Sequence, residues 1–144
     1  MKITVETEVA APPKSVWDAW VTPYHITKWN FAIDEWCCPS AEVDLRVGGK
    51  FKYRMEAKDG SFGFDFEGVF TKVVPQQSLH FELGDNRLVT IEFLQTTKGT
   101  RLAETFDAED ENSAEQQRQG WQSILNNFKK HVEAQNGQLK RWTS

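Results

Sequence analysis

The sequence predicts an α+β domain in which a curved antiparallel sheet of about seven strands wraps around a long C-terminal helix, with two short helices after the first strand. Residues 43–106 contain six runs in which apolar and polar side chains alternate, and turn residues separate successive runs. Such alternation is typical of strands that bury one face. Residues 113–134 instead carry apolar side chains at helical spacing. Strands in succession followed by one helix favour the α+β class.

The length and composition indicate a folded domain. A chain of 144 residues can form one core, so we expect a single domain over residues 1–144. Ten Phe, six Trp and two Tyr within 39% hydrophobic residues make it too apolar to be disordered. The mean hydropathy is -0.59, and no apolar run approaches the roughly 20 residues of a membrane span. The acidic, alternating N-terminus does not resemble a signal peptide, so no membrane insertion is expected.

Charge and cysteine content narrow the function classes. Seventeen basic and 21 acidic residues give a net charge of -4, which argues against a nucleic-acid partner because that affinity depends on neutralising phosphates. The two cysteines, Cys37 and Cys38, are adjacent and form no disulfide framework, so a cytoplasmic location is expected. We interpret them as small buried side chains, with a reactive thiol as the alternative. The scattered histidines predict no metal site, and no cofactor is expected.

The first 40 residues predict one strand, two short helices and a loop. Residues 2–9 alternate and form the strand, which Pro12-Pro13 ends because proline cannot donate to a ladder. Apolar side chains on one helical face follow at Val16, Trp17 and Trp20. Thr22 is the predicted N-cap, with Pro23 at N1, of a second helix that ends at Trp29. Residues 30–40 lack a clear period and predict a loop.

Six further strands follow from alternating apolar residues. These runs are Val43/Leu45/Val47, Phe51/Tyr53/Met55, Phe62/Phe64/Phe66, Leu79/Phe81/Leu83, Val89/Ile91/Phe93 and Leu102/Phe106. Turn signals such as Gly48-Gly49 and Asp59-Gly60 separate them, as hairpin connections do. We expect a bend or bulge near Gly68, where a missing side chain lets a long strand curve.

The last helix has a clear start and a clear apolar face. Ser113 and Gln116 form a predicted capping box. An apolar stripe follows, and Gly137 is expected to end the helix. Gly120 inside the helix costs about 1 kcal/mol relative to alanine, so we expect a close approach to a strand there.

Several segments together resemble one known family. Residues 13–23 with Trp29, the run Asp44–Phe51 with its D-x-R-x-G-G-x-F pattern, Gly68, and the pair Gly120-Trp121 are similar to the activators of the heat-shock protein 90 ATPase. That family lies in the START and birch-pollen-allergen-like superfamily, SRPBCC. The resemblance implies the helix-grip fold and a lipid, polyketide or other apolar molecule between sheet and helix.

The resemblance implies less about activity. It brings no catalytic motif shared across the family. The eukaryotic activators carry an additional N-terminal chaperone-binding domain that 144 residues cannot include, so chaperone stimulation is the weaker inference.

Glu104 is the one catalytic candidate in the sequence. Counting by twos from Leu102 to Phe106 places its carboxylate on the apolar face, where burial is costly and raises the pKa. It would then serve as a polar anchor or a general acid in a ligand cavity. The alternatives are a bulge that shifts the register, or a neighbouring Arg or Tyr that satisfies the carboxylate.

A second cluster lies in the loop region with His25, Trp29, Asp34, Glu35 and Trp36. Two Trp beside acids and a His suit the rim of a pocket. The alternative is that the Trp residues close one end of the barrel while the acids face water. A divalent metal is not expected here, because adjacent acids rarely converge on one ion.

The alternating strands and the helix together predict a ligand cavity with mostly aromatic walls. A small apolar ligand is therefore the expected partner. The predicted ligand-binding residues are Trp29, Trp36, Phe51, Tyr53, Met55, Phe64, Phe66, Phe81, Phe93, Glu104, Trp121, Leu125 and Phe128. Two alternatives stay open: a polyketide cyclase-like acid–base enzyme that pairs Glu104 with Tyr53 or His25, and a co-chaperone. A homodimer is also left open.

Overall fold

Seven strands and three helices make up residues 1–143, the part of the chain whose backbone the computed structural model describes, with side chains described for residues 1–137. The helices are α1 (Pro13–Val21), α2 (Pro23–Trp29) and α3 (Ala114–Thr143). The strands are β1 (Lys2–Val9), β2 (Trp36–Val43), β3 (Lys50–Ala57), β4 (Gly63–Val74), β5 (Ser78–Leu83), β6 (Leu88–Thr96) and β7 (Gly99–Asp107).

The strands form one antiparallel sheet in the order β1-β7-β6-β5-β4-β3-β2. Strands β2 to β7 follow one another as a meander, and β1 returns to pair with β7, where Lys2 lies opposite Asp107. The predicted helix-grip fold is confirmed: a curved antiparallel sheet, two short helices after the first strand, and a long C-terminal helix.

The two short helices begin where the proline pattern predicts. Helix α1 begins at Pro13 and α2 begins at Pro23. In the first helical turn a backbone N–H has no acceptor within the helix, so proline costs no hydrogen bond there. Thr22 occupies the N-cap of α2, but its side chain makes no capping hydrogen bond. Trp17 and Trp20 of α1 are buried, which joins this helix to the core.

Helix α3 covers the free edge of β1 with polar side chains. Ser113 and Gln116 form the predicted capping box, with Gln116 N–H donating to Ser113 Oγ at 3.1 Å. Further along, Arg118 donates to the carbonyl of Thr4, Gln122 to that of Glu6, and Lys129 to that of Glu8. These three residues form an edge-capping stripe that occupies backbone acceptors of a strand with no sheet neighbour on that side.

Strand β2 lies earlier in the chain than the alternation predicts. It begins at Trp36, inside the predicted loop, and ends at Val43. Leu45 and Val47, expected in this strand, are exposed in the connection to β3. The prediction failed because β2 is an edge strand with a register shift between Cys37 and Ser40, which accommodates a proline and breaks the alternation.

The connection between β2 and β3 explains the D-x-R-x-G-G-x-F pattern in structural terms. Arg46 Nε lies 2.9 Å from Asp44 Oδ2, and Gly48 adopts a positive φ of 84°. A Cβ on Gly49 would lie 2.1 Å from the Asp44 carbonyl oxygen, so only glycine fits. The motif builds a tight loop that leads into the buried Phe51.

Four further expectations differ in detail from the structure. Phe62 precedes β4 and is 62% exposed instead of facing inward. The irregularity of β4 falls between Phe70 and Lys72, beyond Gly68. Gly137 does not end α3, which continues to Thr143. Gly120 approaches no strand, since a Cβ there would meet no described atom within 4 Å.

The buried core lies between the inner face of the sheet, which turns toward α3, and the three helices. Trp20 of α1 links these layers: its ring contacts Trp29 of α2, Phe93 of β6 and Phe128 of α3. Among the described residues, none of the helices has the combination of length and apolarity needed to cross a membrane.

Candidate functional site

Glu104 lies on the inner face of the sheet, in the middle of β7. It sits opposite Val5 of β1 and Ile91 of β6, both buried, and is itself only 5% exposed. Residues opposite each other in an antiparallel ladder share a face. The register therefore places the carboxyl group where counting by twos predicts, with no bulge between Leu102 and Phe106.

The carboxyl group of Glu104 has no partner in the described part of the chain. Burial alone raises the pKa of Glu104 from 4.5 to about 8, so the group is protonated at neutral pH. Every fully enclosed side-chain nitrogen or oxygen of the described residues has a hydrogen-bond partner. The oxygens of Glu104 have none, so protein atoms do not fully enclose them.

Tyr53 is a second buried polar group on the same face. It lies in β3 and is 7% exposed. Burial raises the pKa of its phenol above the usual range, and negative charge at Cys38 and at Glu104 raises it further. Tyr53 on β3 and Glu104 on β7 are thus both buried groups of the inner face of the sheet.

Aromatic rings surround Tyr53 on this face. The ring of Tyr53 lies 4.9 Å from that of Phe51 and 6.1 Å from that of Phe66 between centroids. Across the interior, Trp121 of α3 lies 6.2 Å from Phe66 and stacks on Phe106 at 3.9 Å. Phe81 packs edge-on against Phe51 at 4.8 Å. The walls around Tyr53 are therefore mostly aromatic, whereas the ladder neighbours of Glu104 are the aliphatic Val5 and Ile91.

Exposure along β4 shows at which end the inner face is open. Phe64, Phe66 and Phe70 belong to the inner side of this strand. Phe64 is 42% exposed, Phe66 is half-buried, and Phe70 is 2% exposed. The inner face is therefore accessible near the start of β4, where Trp36 contacts both Phe62 and Phe64.

The other predicted lining residues fall into the packed core. Trp29 is 1% exposed and its Nε1 donates to the Ala19 carbonyl at 3.0 Å, so it does not form a rim. Leu125 and Phe128 are fully buried. Phe93 packs against Trp17 at 5.3 Å. These four side chains join the sheet to the helices, whereas Phe66 contacts both Tyr53 and Trp121 on the half-buried part of the inner face.

The loop cluster does not assemble as one site. His25 Nδ1 lies 2.9 Å from His131 Nε2, which joins α2 to α3. Asp34 and Glu35 are exposed and line a shallow surface depression beside α3. His25 is thus engaged with α3, which leaves Tyr53 as the neighbour for Glu104 in any acid–base pair.

The buried polar residue Asn30 was missed from the sequence. Asn30 is 8% exposed, and its amide donates to Met55 Sδ at 3.1 Å and lies 3.9 Å from Cys38 Sγ. Burial raises the pKa of the Cys38 thiol, while the hydrogen bond from Asn30 lowers it. Nothing in the aperiodic segment distinguishes Asn30, since its burial depends on the end of α2 meeting β3.

A further surface concavity lies outside the predicted site. An open groove of about 620 Å³ is lined mainly by the outer face of strands β3 to β5, including Lys52, Glu67, Val69 and Glu82. We call it the outer groove. Its charged side chains alternate in sign, as at a solvated sheet face.

A sequence profile of the family described as Activator of Hsp90 ATPase homolog 1-like protein matches residues 10–133. The chain belongs to this family. The family's fold is that of the SRPBCC superfamily, which commonly binds hydrophobic ligands. No match was found among curated proteins.

Solved structures of similar proteins agree with the family assignment. An AHSA1-like protein from Aeromonas hydrophila is 46% identical, with a TM-score of 0.89 over 94% of each chain. A protein from Cytophaga hutchinsonii is 45% identical, with a TM-score of 0.81 over 94% of each chain. One from Nitrosomonas europaea, 21% identical with a TM-score of 0.79, covers 95% of this chain and 97% of its own and shares the fold.

Proposed function

We propose that this protein binds a small, mostly apolar molecule between the inner face of the sheet and α3. The observation that carries the proposal is the pair of buried polar groups, Glu104 and Tyr53, that have no partner in the described chain. Their side-chain oxygens have no partner among the described residues and are not fully enclosed by protein atoms, so they are available to a bound molecule. A bound molecule would satisfy them.

The aromatic walls support an apolar ligand body. Ligand sites are usually apolar with a few polar groups that fix orientation, and this interior combines Phe66, Trp121 and Met55 with the two polar groups. The exposed inner-face ring of Phe64 is the proposed point of entry, with Trp36 beside it. Met55 offers an adaptable wall because its side chain is unbranched.

Binding is tested by titrating the neutral dye Nile red into the protein and recording fluorescence together with methyl ¹H–¹³C spectra. We expect a blue-shifted emission and chemical-shift changes at the inner-face methyl groups of Met55, Ile91 and Leu102. Leu94 and Val69 are the internal controls, since both lie on the outer face and Val69 lines the outer groove.

The same measurements can also contradict binding at the inner face of the sheet. Shifts confined to Val69 and its neighbours would assign the dye to the outer groove, and an unchanged emission would show that no apolar molecule enters. Either outcome overturns the proposal.

A second candidate function is acid–base catalysis on such a ligand. It is favoured by the pKa of about 8 at Glu104, since a general acid works best when its pKa lies near the working pH. Tyr53 would be its partner. If turnover of a polyketide-like ring is observed, Glu104→Gln should abolish it while leaving Nile red binding intact; retained turnover would contradict the assignment.

We propose a reducing compartment, the cytoplasm, as the setting. The adjacent thiols of Cys37 and Cys38 are both free, and Cys38 is buried. Free thiols persist where glutathione and thioredoxin keep them reduced. Fractionation followed by thiol labelling in intact cells tests this: the protein should be found with both cysteines reduced in the cytosolic fraction, and an oxidised protein in an exported fraction would contradict it.

A further inference from the structure

The titratable groups of the proposed ligand site are all acids, and the buried amide of Asn30 beside Met55 and Cys38 carries no charge. Glu104, Tyr53 and Cys38 either stay neutral or become negative on titration, and negative charge at Cys38 or Glu104 raises the pKa of Tyr53. No described Lys or Arg side chain is buried. The basic side chains pair with acids at the surface, as Arg54 does with Glu56 and Lys129 with Glu133. The interior therefore contains proton donors and potential negative charge, and no described residue there supplies the matching positive charge.

This imbalance discriminates among ligands by charge. A carboxylate ligand would bring a second acid beside Glu104, and two such groups cannot both ionise without strong repulsion. An alcohol would form hydrogen bonds and leave Glu104 protonated. A protonated amine would supply the absent countercharge, and its N–H groups would donate to Glu104 and to the Tyr53 oxygen.

The walls also favour a cation. An ammonium group near the face of an aromatic ring is attracted by the ring quadrupole, an effect that strengthens when water is excluded. The ring centroids of Phe51 and Phe66 lie 4.9 Å and 6.1 Å from that of Tyr53. Across the interior, the ring of Trp121 lies 6.2 Å from that of Phe66. A buried acid on an inner face that also carries aromatic rings is an arrangement that suits an apolar amine.

We propose that the ligand is an apolar molecule that carries a protonated amine, held by an ion pair with Glu104, by the hydroxyl of Tyr53 and by the surrounding aromatic rings. This inference rests on the proposed function, because it names the ligand class of the same interior site.

Proton linkage follows from this geometry. In the empty protein, burial holds the pKa of Glu104 at about 8, so at pH 6 to 7 its carboxyl group keeps a proton. The bound ammonium requires the carboxylate, so binding transfers that proton from Glu104 to solvent. Amine affinity should therefore rise with pH, by roughly tenfold per unit below pH 8. A neutral ligand that needs the protonated acid would show the reverse dependence.

The test compares three probes with one aromatic body: 2-(2-naphthyl)ethylamine, 2-(2-naphthyl)ethanol and 2-naphthylacetate. Affinities are measured by isothermal titration calorimetry at pH 6 and pH 8, in two buffers of different ionisation enthalpy to count released protons. At pH 8 the amine should bind at least about tenfold more tightly than the alcohol, and the carboxylate most weakly. Amine binding at pH 6 should release close to one proton per molecule.

Two variants separate charge from packing. Glu104→Gln keeps the size and a hydrogen-bonding amide, so it should abolish both the preference for the amine and its pH dependence while the alcohol still binds. Glu67→Gln, in the outer groove, removes an exposed charge and should change neither. Equal or tighter binding of the alcohol at pH 8, or an amine preference that survives in Glu104→Gln, overturns the inference.

The two proposals fail in distinguishable ways. If Nile red binds to the inner face but none of the naphthyl probes does, or the carboxylate binds best, the amine inference is wrong and the apolar site stands. If Nile red does not bind to the inner face, the proposed function fails and the amine inference fails with it.

Discussion

At the scale of single residues, the side chain that matters most is Glu104, because it combines a buried position with the absence of a described partner. Its neighbours across the ladder, Val5 and Ile91, are buried aliphatic residues that provide neither charge nor hydrogen bonds. An acid in such a place is held in its neutral form by desolvation. The stability of the empty protein should therefore depend on this one proton.

The pH dependence of stability has a defined sign. Below pH 4.5 the carboxyl group is protonated in both the folded and the unfolded chain, so it favours neither. Between pH 4.5 and about 8 the unfolded chain ionises while the folded protein keeps its proton, so the free energy of unfolding falls as pH rises. Above about pH 8 the carboxyl group is ionised in both states, so the destabilisation has reached its full size and no longer changes with pH.

Replacing Glu104 with Gln removes this penalty. We expect Glu104→Gln to be more stable than wild type by on the order of 2–4 kcal/mol at pH 8, and close to wild type at pH 4. Urea unfolding at both pH values measures the difference. Glu67→Gln, an exposed acid of β4, should match wild type throughout; a similar gain there, or a gain in Glu104→Gln that does not depend on pH, would contradict the prediction.

Individual residues were predictable from the sequence where their strand keeps its register. Glu104 was placed correctly because β7 pairs without interruption on both sides. Phe62 was misplaced because alternation continues past the residue at which pairing stops. Trp29 was expected at a rim, yet it lies in the core, since its burial depends on Phe128 of a distant helix. Contacts between remote elements leave no local pattern.

At the scale of elements, β4 depends on one glycine for its packing. Gly68 lies between Phe51 of β3 and Leu83 of β5. A Cβ there would lie 2.6 Å from the Glu82 carbonyl oxygen and 2.9 Å from the Phe51 ring. Neither the backbone carbonyl nor a fully buried ring can move aside without a rearrangement.

Gly68→Ala should therefore destabilise the protein by about 1–3 kcal/mol. Gly84→Ala is the matched control, because a Cβ at Gly84 meets no described atom within 4 Å and its φ is not positive. That variant should be neutral or gain up to about 1 kcal/mol. Thermal unfolding of both variants provides the comparison. Equal melting temperatures would show that the sheet accommodates a Cβ at Gly68 without loss of stability.

The edge-capping stripe gives α3 a second task besides covering the core. Lys129 donates to the Glu8 carbonyl and lies 3.1 Å from Glu133 Oε2, which in turn accepts the N–H of Ala10 at 2.8 Å. Lys129→Met should cost about 1–3 kcal/mol of stability by removing charge-assisted hydrogen bonds. Lys130→Met, an exposed neighbour, should cost less than about 0.5 kcal/mol. Equal losses of stability for the two variants in chemical denaturation would contradict a stabilising role for the edge-capping stripe.

Elements were predictable when a terminal signal and a periodic pattern agreed. Helix α3 begins at its capping box as predicted, but Gly137 does not end it, because glycine lowers helix propensity without forbidding the conformation. Strand β2 was displaced because Pro39 and a register shift obscure an edge strand. Gly120 was expected to touch a strand, but it borders an open pocket beside Trp121, a spatial relation invisible in the helix itself.

At the scale of the whole molecule, one continuous core joins the sheet and the three helices. Trp20 of α1 contacts rings from α2, β6 and α3 at centroid distances of 4.7, 6.5 and 4.8 Å. We expect tryptophan fluorescence and far-ultraviolet circular dichroism to report the same urea midpoint, because no described element has a core of its own. Fluorescence that changes first would show that the helices separate from the sheet.

The pairing of β1 with β7 also determines when the first strand can join the sheet while the chain is being synthesised. Lys2 meets Asp107 across 105 residues of chain, and the helix that covers the other edge of β1 is made later still. At translation rates of about 5–20 residues per second, the first strand leaves the ribosome at least about 5–20 seconds before its partner exists. Strand β1 therefore lacks its sheet partner during most of the synthesis of the chain, whereas β2 to β6 can pair as successive hairpins while they emerge.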